Sequence, residues 1–209
     1  MKFEETTIKA FIDELASNSP APGGGSVAAL CGSLAAGLEA MVANLTLGKE
    51  KYRTGWDKMH KVLEEGEKLR AEFISLMNED TESFNLFMQA LKMPKETEEQ
   101  KASRKAAMGE ASKAATAVPL RTLESCVKAA ELSFTAAKYG NSNAVSDAGV
   151  AALLAEAAGK AASYNVKINL PGIADEAFAK ECRERMEKAL AEVVKHADET
   201  AKLVEAAMI

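Results

Sequence analysis

Three groups of residues in this chain could do chemistry. The first is the run PAPGGGS at residues 20–26. Pro20 and Pro22 hold the backbone extended, and Gly23, Gly24 and Gly25 place no side chain between main chain and a ligand. Bare N–H groups leading into a helix can meet a flat or anionic molecule, and the same run also serves as a plain turn, with Ser26 as the helix N-cap. It lacks the lysine of a phosphate loop and the spacing of a dinucleotide fingerprint. The second group is GNSNAVSDAG, residues 140–149, where Asn141, Asn143, Ser146 and Asp147 could floor a polar pocket or cap the helix that follows. The third is a pair of acids, Glu39 and Asp80, each in register with apolar residues. A carboxylate on a buried helix face must be neutral, paired or used, and a displaced pKa suits proton transfer. Two of them in one small domain suggest a shared cavity. Lys49, Lys95 and Arg121 lie near these groups in sequence and could receive an anionic part of a ligand, although each also reads as a solvated surface charge.

These residues need helices to position them. Alanine outnumbers valine and isoleucine together by more than two to one, and aromatics make up only 5% of the 209 residues. That composition favours an all-α protein of closely packed helices. Ile8, Phe11, Ile12 and Leu15 mark a short first helix. No charged residue occurs from Ser17 through Leu38, and Glu39 is the sole charge before Lys49. A helix from about Val27 to Leu47 is therefore apolar around its circumference, which predicts the buried centre of a bundle rather than a membrane span. A small-residue ridge of Ala29, Ser33 and Gly37 would let neighbours approach closely.

A stripe from Trp56 through Phe73, Met77, Phe84 and Phe87 to Leu91 predicts a long helix ending at Pro94. An Ala-rich helix begins near Thr97 and is kinked or interrupted at Pro119. Another opens after residue 149, NVKINLPG (165–172) reads as extended, and a last helix runs from about Ala174 to Met208. No boundary divides residues 1–209.

Net charge is −5, with no basic block, so nucleic acid is not an expected partner. Cys31, Cys126 and Cys182 have neither disulfide nor zinc spacing, so no metal is expected. The N-terminus (MKFEETTIKAF) carries acids where a secretory signal needs a basic region and an apolar run, which points to a cytoplasmic chain.

Taken in order, SPAPGGGSVAALCGSLAAGLEAMVANLT, LGKEKY, DTESFNLFMQALKMPK, GNSNAVSDAGVAALLAEAA and NVKINL resemble the cyclodeaminase/cyclohydrolase family of folate enzymes. The resemblance spans roughly residues 8–170. It implies a multihelical bundle around a central helix, a homodimer, and a tetrahydrofolate derivative as substrate without a further cofactor. It also implies chemistry at the one-carbon bridge of that substrate, either hydrolysis of 5,10-methenyltetrahydrofolate or cyclising deamination of the 5-formimidoyl compound, with the hydrolysis preferred. On that reading Asp147, Asp80 and Glu39 are the candidates for proton transfer. Lys49 and Lys95 would hold the glutamate tail or stabilise a carboxylate, Asn141, Asn143 and the Gly23–Gly25 backbone would seat the pterin, and Ser26 and Ser146 count among the substrate-binding residues. The competing reading, from composition alone, is a non-catalytic helical scaffold.

Overall fold

A computed structural model describes residues 5–208, and residues 1–4, where the acidic N-terminal stretch begins, lie outside it. Six α-helices follow in order: α1 (Ile8–Leu15), α2 (Gly24–Thr46), α3 (Trp56–Leu91), α4 (Glu98–Tyr139), α5 (Val145–Asn169) and α6 (Glu176–Ala207). Short 3₁₀ turns connect them at Glu50–Gly55, Ser142–Ala144 and Leu170–Gly172, and no strand occurs among the described residues. Every helix from α1 to α6 contributes to one apolar core, from Phe11 through Ala28, Met59, Leu123 and Ala155 to Cys182.

α2 packs chiefly on α3 and α5, and α4 closes the bundle against α3, α5 and α6. The approach is close because the contacting residues are small. A Cβ on Gly32 would come within 2.5 Å of the Phe73 ring, and Gly66 on α3 lies against Ala36 and Ala40 of α2. The expected ridge is used on one side: Ala29 and Ser33 are buried, and the Ser33 hydroxyl donates to the Arg70 carbonyl at 3.2 Å.

Four sequence expectations are corrected. First, α2 is not enclosed on all sides. Its inner face is buried, while Leu34 (53% exposed), Met41 and Leu45 form an open stripe, continued on α5 by Val150 and Leu153.

Second, α2 starts at Gly24 with Gly23 as its N-cap residue, so Ser26 lies inside the first turn and its hydroxyl is free for other work. Third, residues 165–172 are helical to Asn169 and then turn. Ala158, Ala162, Val166 and Leu170 recur every four residues and are buried, so packing overrides the strand preference of the β-branched residues.

Fourth, α4 runs through Pro119 as one helix. Proline has no N–H to give the carbonyl four residues back, which here belongs to Ala115. The Asn169 side chain supplies the missing donor, its Nδ2 lying 2.7 Å from the Ala115 oxygen.

Candidate active site

At the N-terminal end of α2 the helices part around an open cavity of about 420 Å³, within the range usual for small-molecule sites. Gly23–Gly25 form one wall, Asp80, Thr81, Phe84 and Phe87 of α3 a second, and Asn165, Ile168 and Asn169 of α5 a third. Ser112 and Ala115 of α4 complete it.

The centre of this site is Asp80. Its Oδ2 accepts a hydrogen bond from the Ser26 hydroxyl at 2.8 Å, and the Thr81 hydroxyl lies 3.2 Å from the same Ser26 oxygen. The glycines explain how α3 can place a carboxylate there. A Cβ on Gly25 would collide with the Asp80 carboxylate, standing 2.6 Å from its Cγ. Burial pushes the Asp80 pKa upward, and hydrogen bonds from the Ser26 hydroxyl and backbone N–H partly oppose that shift. The result is a carboxylate that holds a proton more readily than an exposed aspartate, yet remains anchored at a positive helix end.

The other candidates do not join it within one chain. Glu39 is completely buried in the bundle core, four turns along α2, and does not line the cavity. The Ser133 oxygen lies 2.8 Å from Glu39 Oε1 and 3.1 Å from the Ala129 carbonyl, and Glu39 Oε2 has no partner among the described residues. Burial raises its pKa to about 8. One hydroxyl proton cannot serve both acceptors, whereas a protonated Glu39 donating to Ser133 leaves that proton for Ala129. Glu39 is therefore a neutral core group at neutral pH, and the expected cavity shared by Glu39 and Asp80 is absent.

The second polar cluster sits at the opposite end of α2, about 35 Å away for a helix of this length. There Asn141 finishes α2: its backbone N–H donates to Thr46 Oγ1 at 2.8 Å, and its Nδ2 donates to the Leu45 carbonyl at 3.0 Å. Its Oδ1 accepts from the Asn143 N–H at 3.0 Å. Ser146 and Asp147 lie in the first turn of α5 without capping it, because the N-cap is Ala144. Lys49 is exposed beside this end, and the Tyr52 hydroxyl meets Ser142 at 3.0 Å. Lys95 lies in the exposed connection between α3 and α4, outside the cavity lining, and Arg121 is paired with Glu79 at 2.6 Å.

The sequence reading missed several lining residues. Phe84 and Phe87 read as core stripe, but both are only partly buried and line the cavity. Asn165 was hidden by the extended reading of NVKINL, although that motif was itself part of the family resemblance.

Comparison with known proteins agrees with this architecture. The profile of the formiminotransferase-cyclodeaminase family matches residues 7–188. A methenyltetrahydrofolate cyclohydrolase of Methylorubrum extorquens is 44% identical over 186 residues, covering 89% of each chain. A formimidoyltransferase-cyclodeaminase of Rattus norvegicus is 33% identical over 188 residues, or 90% of this chain but 35% of that longer protein. The crystal structure of a formiminotetrahydrofolate cyclodeaminase from Thermotoga maritima superposes with a TM-score of 0.89 at 31% identity, covering 99% of both chains. The fold and site thus define an all-helical cyclodeaminase-type domain. The chain belongs to the formiminotransferase-cyclodeaminase family.

Proposed function

We propose that this protein is a folate one-carbon enzyme that hydrolyses 5,10-methenyltetrahydrofolate to 10-formyltetrahydrofolate. The observation that carries the reading is Asp80, a half-buried carboxylate held by Ser26 against a glycine-walled cavity. The near full-length similarity to a methenyltetrahydrofolate cyclohydrolase supports the choice of reaction.

The substrate's bridging carbon is part of a cationic amidinium, which the Asp80 carboxylate attracts. Asp80 takes a proton from a water molecule as the water oxygen bonds to that carbon, giving a neutral tetrahedral adduct. It then returns the proton to N5 as the carbon–N5 bond breaks. The remaining hydroxyl proton leaves to solvent as the formyl carbonyl forms on N10. A raised pKa suits both steps, because the group must first accept and then give up the same proton. The phenyl rings of Phe84 and Phe87 supply a flat apolar wall for a bicyclic ring system.

A second reading, cyclising deamination of 5-formimidoyltetrahydrofolate with release of ammonia, is favoured by the full-length structural likeness to a cyclodeaminase. Rates on the two substrates measured side by side decide between them. The expected result is loss of 5,10-methenyltetrahydrofolate absorbance above the spontaneous rate. No acceleration on either substrate would leave the helical scaffold as the surviving reading.

The proposal includes a homodimer. The open stripe of α2 and α5 carries Leu34, Met41, Leu45, Val150 and Leu153, and α2 has no charged residue facing outward. An apolar face of this kind, along the second half of α2, suits burial against its own copy. With the two α2 helices antiparallel across a two-fold axis, the Asn141–Asp147 end of each protomer meets the cavity end of the other. Asp147, Asn143, Ser146 and Lys49 then serve the neighbouring protomer's cavity. The three unpaired thiols suit a reducing compartment such as the cytoplasm.

A further inference from the structure

Asn165 has a side chain whose orientation is fixed but whose acceptor is unused. It lies on α5 facing the first turn of α2, and its Nδ2 donates to the Ala161 carbonyl of its own helix at 2.9 Å. A Cβ on Gly24 would stand 3.6 Å from Nδ2 and 3.8 Å from Oδ1, so the amide is laid flat against the glycine wall. No protein donor among the described residues reaches Oδ1. Gly24 and Gly25 are adjacent, and Gly25 is the residue that abuts Asp80. The amide and the carboxylate therefore flank the same helical turn from opposite sides, one from α5 and one from α3.

The neighbouring amide of Asn169 is accounted for by Pro119, because it supplies the donor that proline removes from Ala115. Asn165 answers no such structural need. Its bond to Ala161 reaches a carbonyl in mid-helix, which already accepts from the backbone four residues on, and gives α5 little that an alanine would not. What it does is bring an amide with a free acceptor to the wall of a cavity whose other polar lining is glycine backbone, the Asp80 carboxylate, the hydroxyls of Thr81, Ser83 and Ser112, and the Asn169 amide already engaged with Ala115. The ligand group this fits is a planar heterocycle edge with N–H donors, and in the proposed substrate that edge is the 2-amino-4-oxopyrimidine of the pterin.

We propose that Asn165 is the residue that recognises the aminopyrimidinone edge of the pterin, accepting from its donors through Oδ1 and orienting the ring so that the one-carbon bridge meets Asp80. The inference rests on the folate reading above and adds its specificity determinant. An acceptor that the bound ring covers rejects an analogue lacking the matching donor, since it is then left unpaired in the complex.

The test uses the full chain and two ligands, 5-formyltetrahydrofolate and its 2-desamino-2-methyl analogue, with dissociation constants measured by calorimetry. The wild type is expected to prefer the amino compound by about tenfold or more, the discrimination a lost polar partner gives. In Asn165→Leu that preference should collapse toward unity, with circular dichroism and thermal unfolding showing a retained fold. Asn165→Asp, which keeps an acceptor at the same place, should retain it. An unchanged preference in a folded Asn165→Leu overturns the role of Asn165 while leaving the folate reading intact. Failure of the wild type to bind 5-formyltetrahydrofolate overturns both. If Asn165→Leu does not fold, Asn165→Asp and Asn165→Ser carry the comparison, and loss of preference in Ser but not Asp is the expected result. Equal preference in those two variants overturns the proposal.

Discussion

The Ser26 hydroxyl donates to Asp80 Oδ2 at 2.8 Å, joining two residues 54 positions apart at the first turn of α2. This bond stabilises the charged form of Asp80, while burial acts the other way and dominates. Removing the hydroxyl in Ser26→Ala therefore raises the Asp80 pKa further. Where Asp80 must be ionised to accept a proton, the acid limb of the rate–pH profile moves to higher pH. Asp80→Asn, which retains shape but not basicity, should lower turnover by about 10²–10⁴-fold with little loss of stability. Stopped-flow rates across pH check both, and an unshifted limb in Ser26→Ala would detach Asp80 from the proton transfer.

Gly25 admits Asp80 because it has no Cβ. Gly25→Ala places a methyl group inside the carboxylate, so the Asp80 side chain must leave its position beside Ser26. Turnover is expected to drop by at least about tenfold, since misplacing a reacting group by an ångström costs about that or more. Gly109→Ala is the control: nothing lies within 4 Å of its Cβ position, and it should gain about 1 kcal/mol of helix propensity with rates unchanged.

Pro119 and Asn169 form a coupled pair through the Ala115 carbonyl. Asn169→Leu orphans that carbonyl and should cost about 1–3 kcal/mol in urea unfolding. In a Pro119→Ala background the restored N–H reaches Ala115 by itself, so the same substitution should cost markedly less. A double-mutant cycle with no coupling would mean that α4 tolerates its proline for another reason.

Glu39 has its folded-state pKa raised to about 8 from an ordinary 4.5. Between those values the folded chain keeps a proton that the unfolded chain has lost. Stability from this group is thus full below about pH 4.5 and declines as pH rises through 8. Glu39→Gln removes the titration. It should make the chain more stable at pH 7 by up to roughly 3 kcal/mol and flatten the decline, as thermal or urea unfolding at a series of pH values would show. Equal slopes for both proteins would contradict a neutral, buried Glu39.

Leu34 and Leu153 sit on the open apolar stripe. On the proposed dimer, Leu34→Lys or Leu153→Lys should give monomers by light scattering and leave the helical content intact, and a wild type that is itself monomeric would overturn the dimer. If the proposed antiparallel dimer forms, mixing and re-forming Asp80→Asn with Asp147→Asn puts one intact site in each hybrid. About a quarter of wild-type activity should return from two inactive parents. No recovery after demonstrated subunit exchange would confine each site to one chain.

Local sequence determined much of this molecule. Alanine content and the stripe from Trp56 to Met77 specify helices, because period and propensity are properties of neighbouring residues. The Gly23–Gly25 run and Asp80 stood out individually for the same reason. Tertiary structure decided which candidates meet. Asp80 joins Ser26 because α3 folds back along α2 at glycine distance, while Glu39, four turns further along α2, is left in the core. Asn141 and Asp147 fall at the far end because α2 is rigid, and a rod of 23 residues separates whatever is fixed to its two ends. Pro119 was tolerated, and residues 165–169 made helical, by partners on other helices that no local pattern announces. The open side of α2 has the same origin: an apolar circumference follows from local sequence, whereas how much of it the chain's own helices cover depends on how they pack.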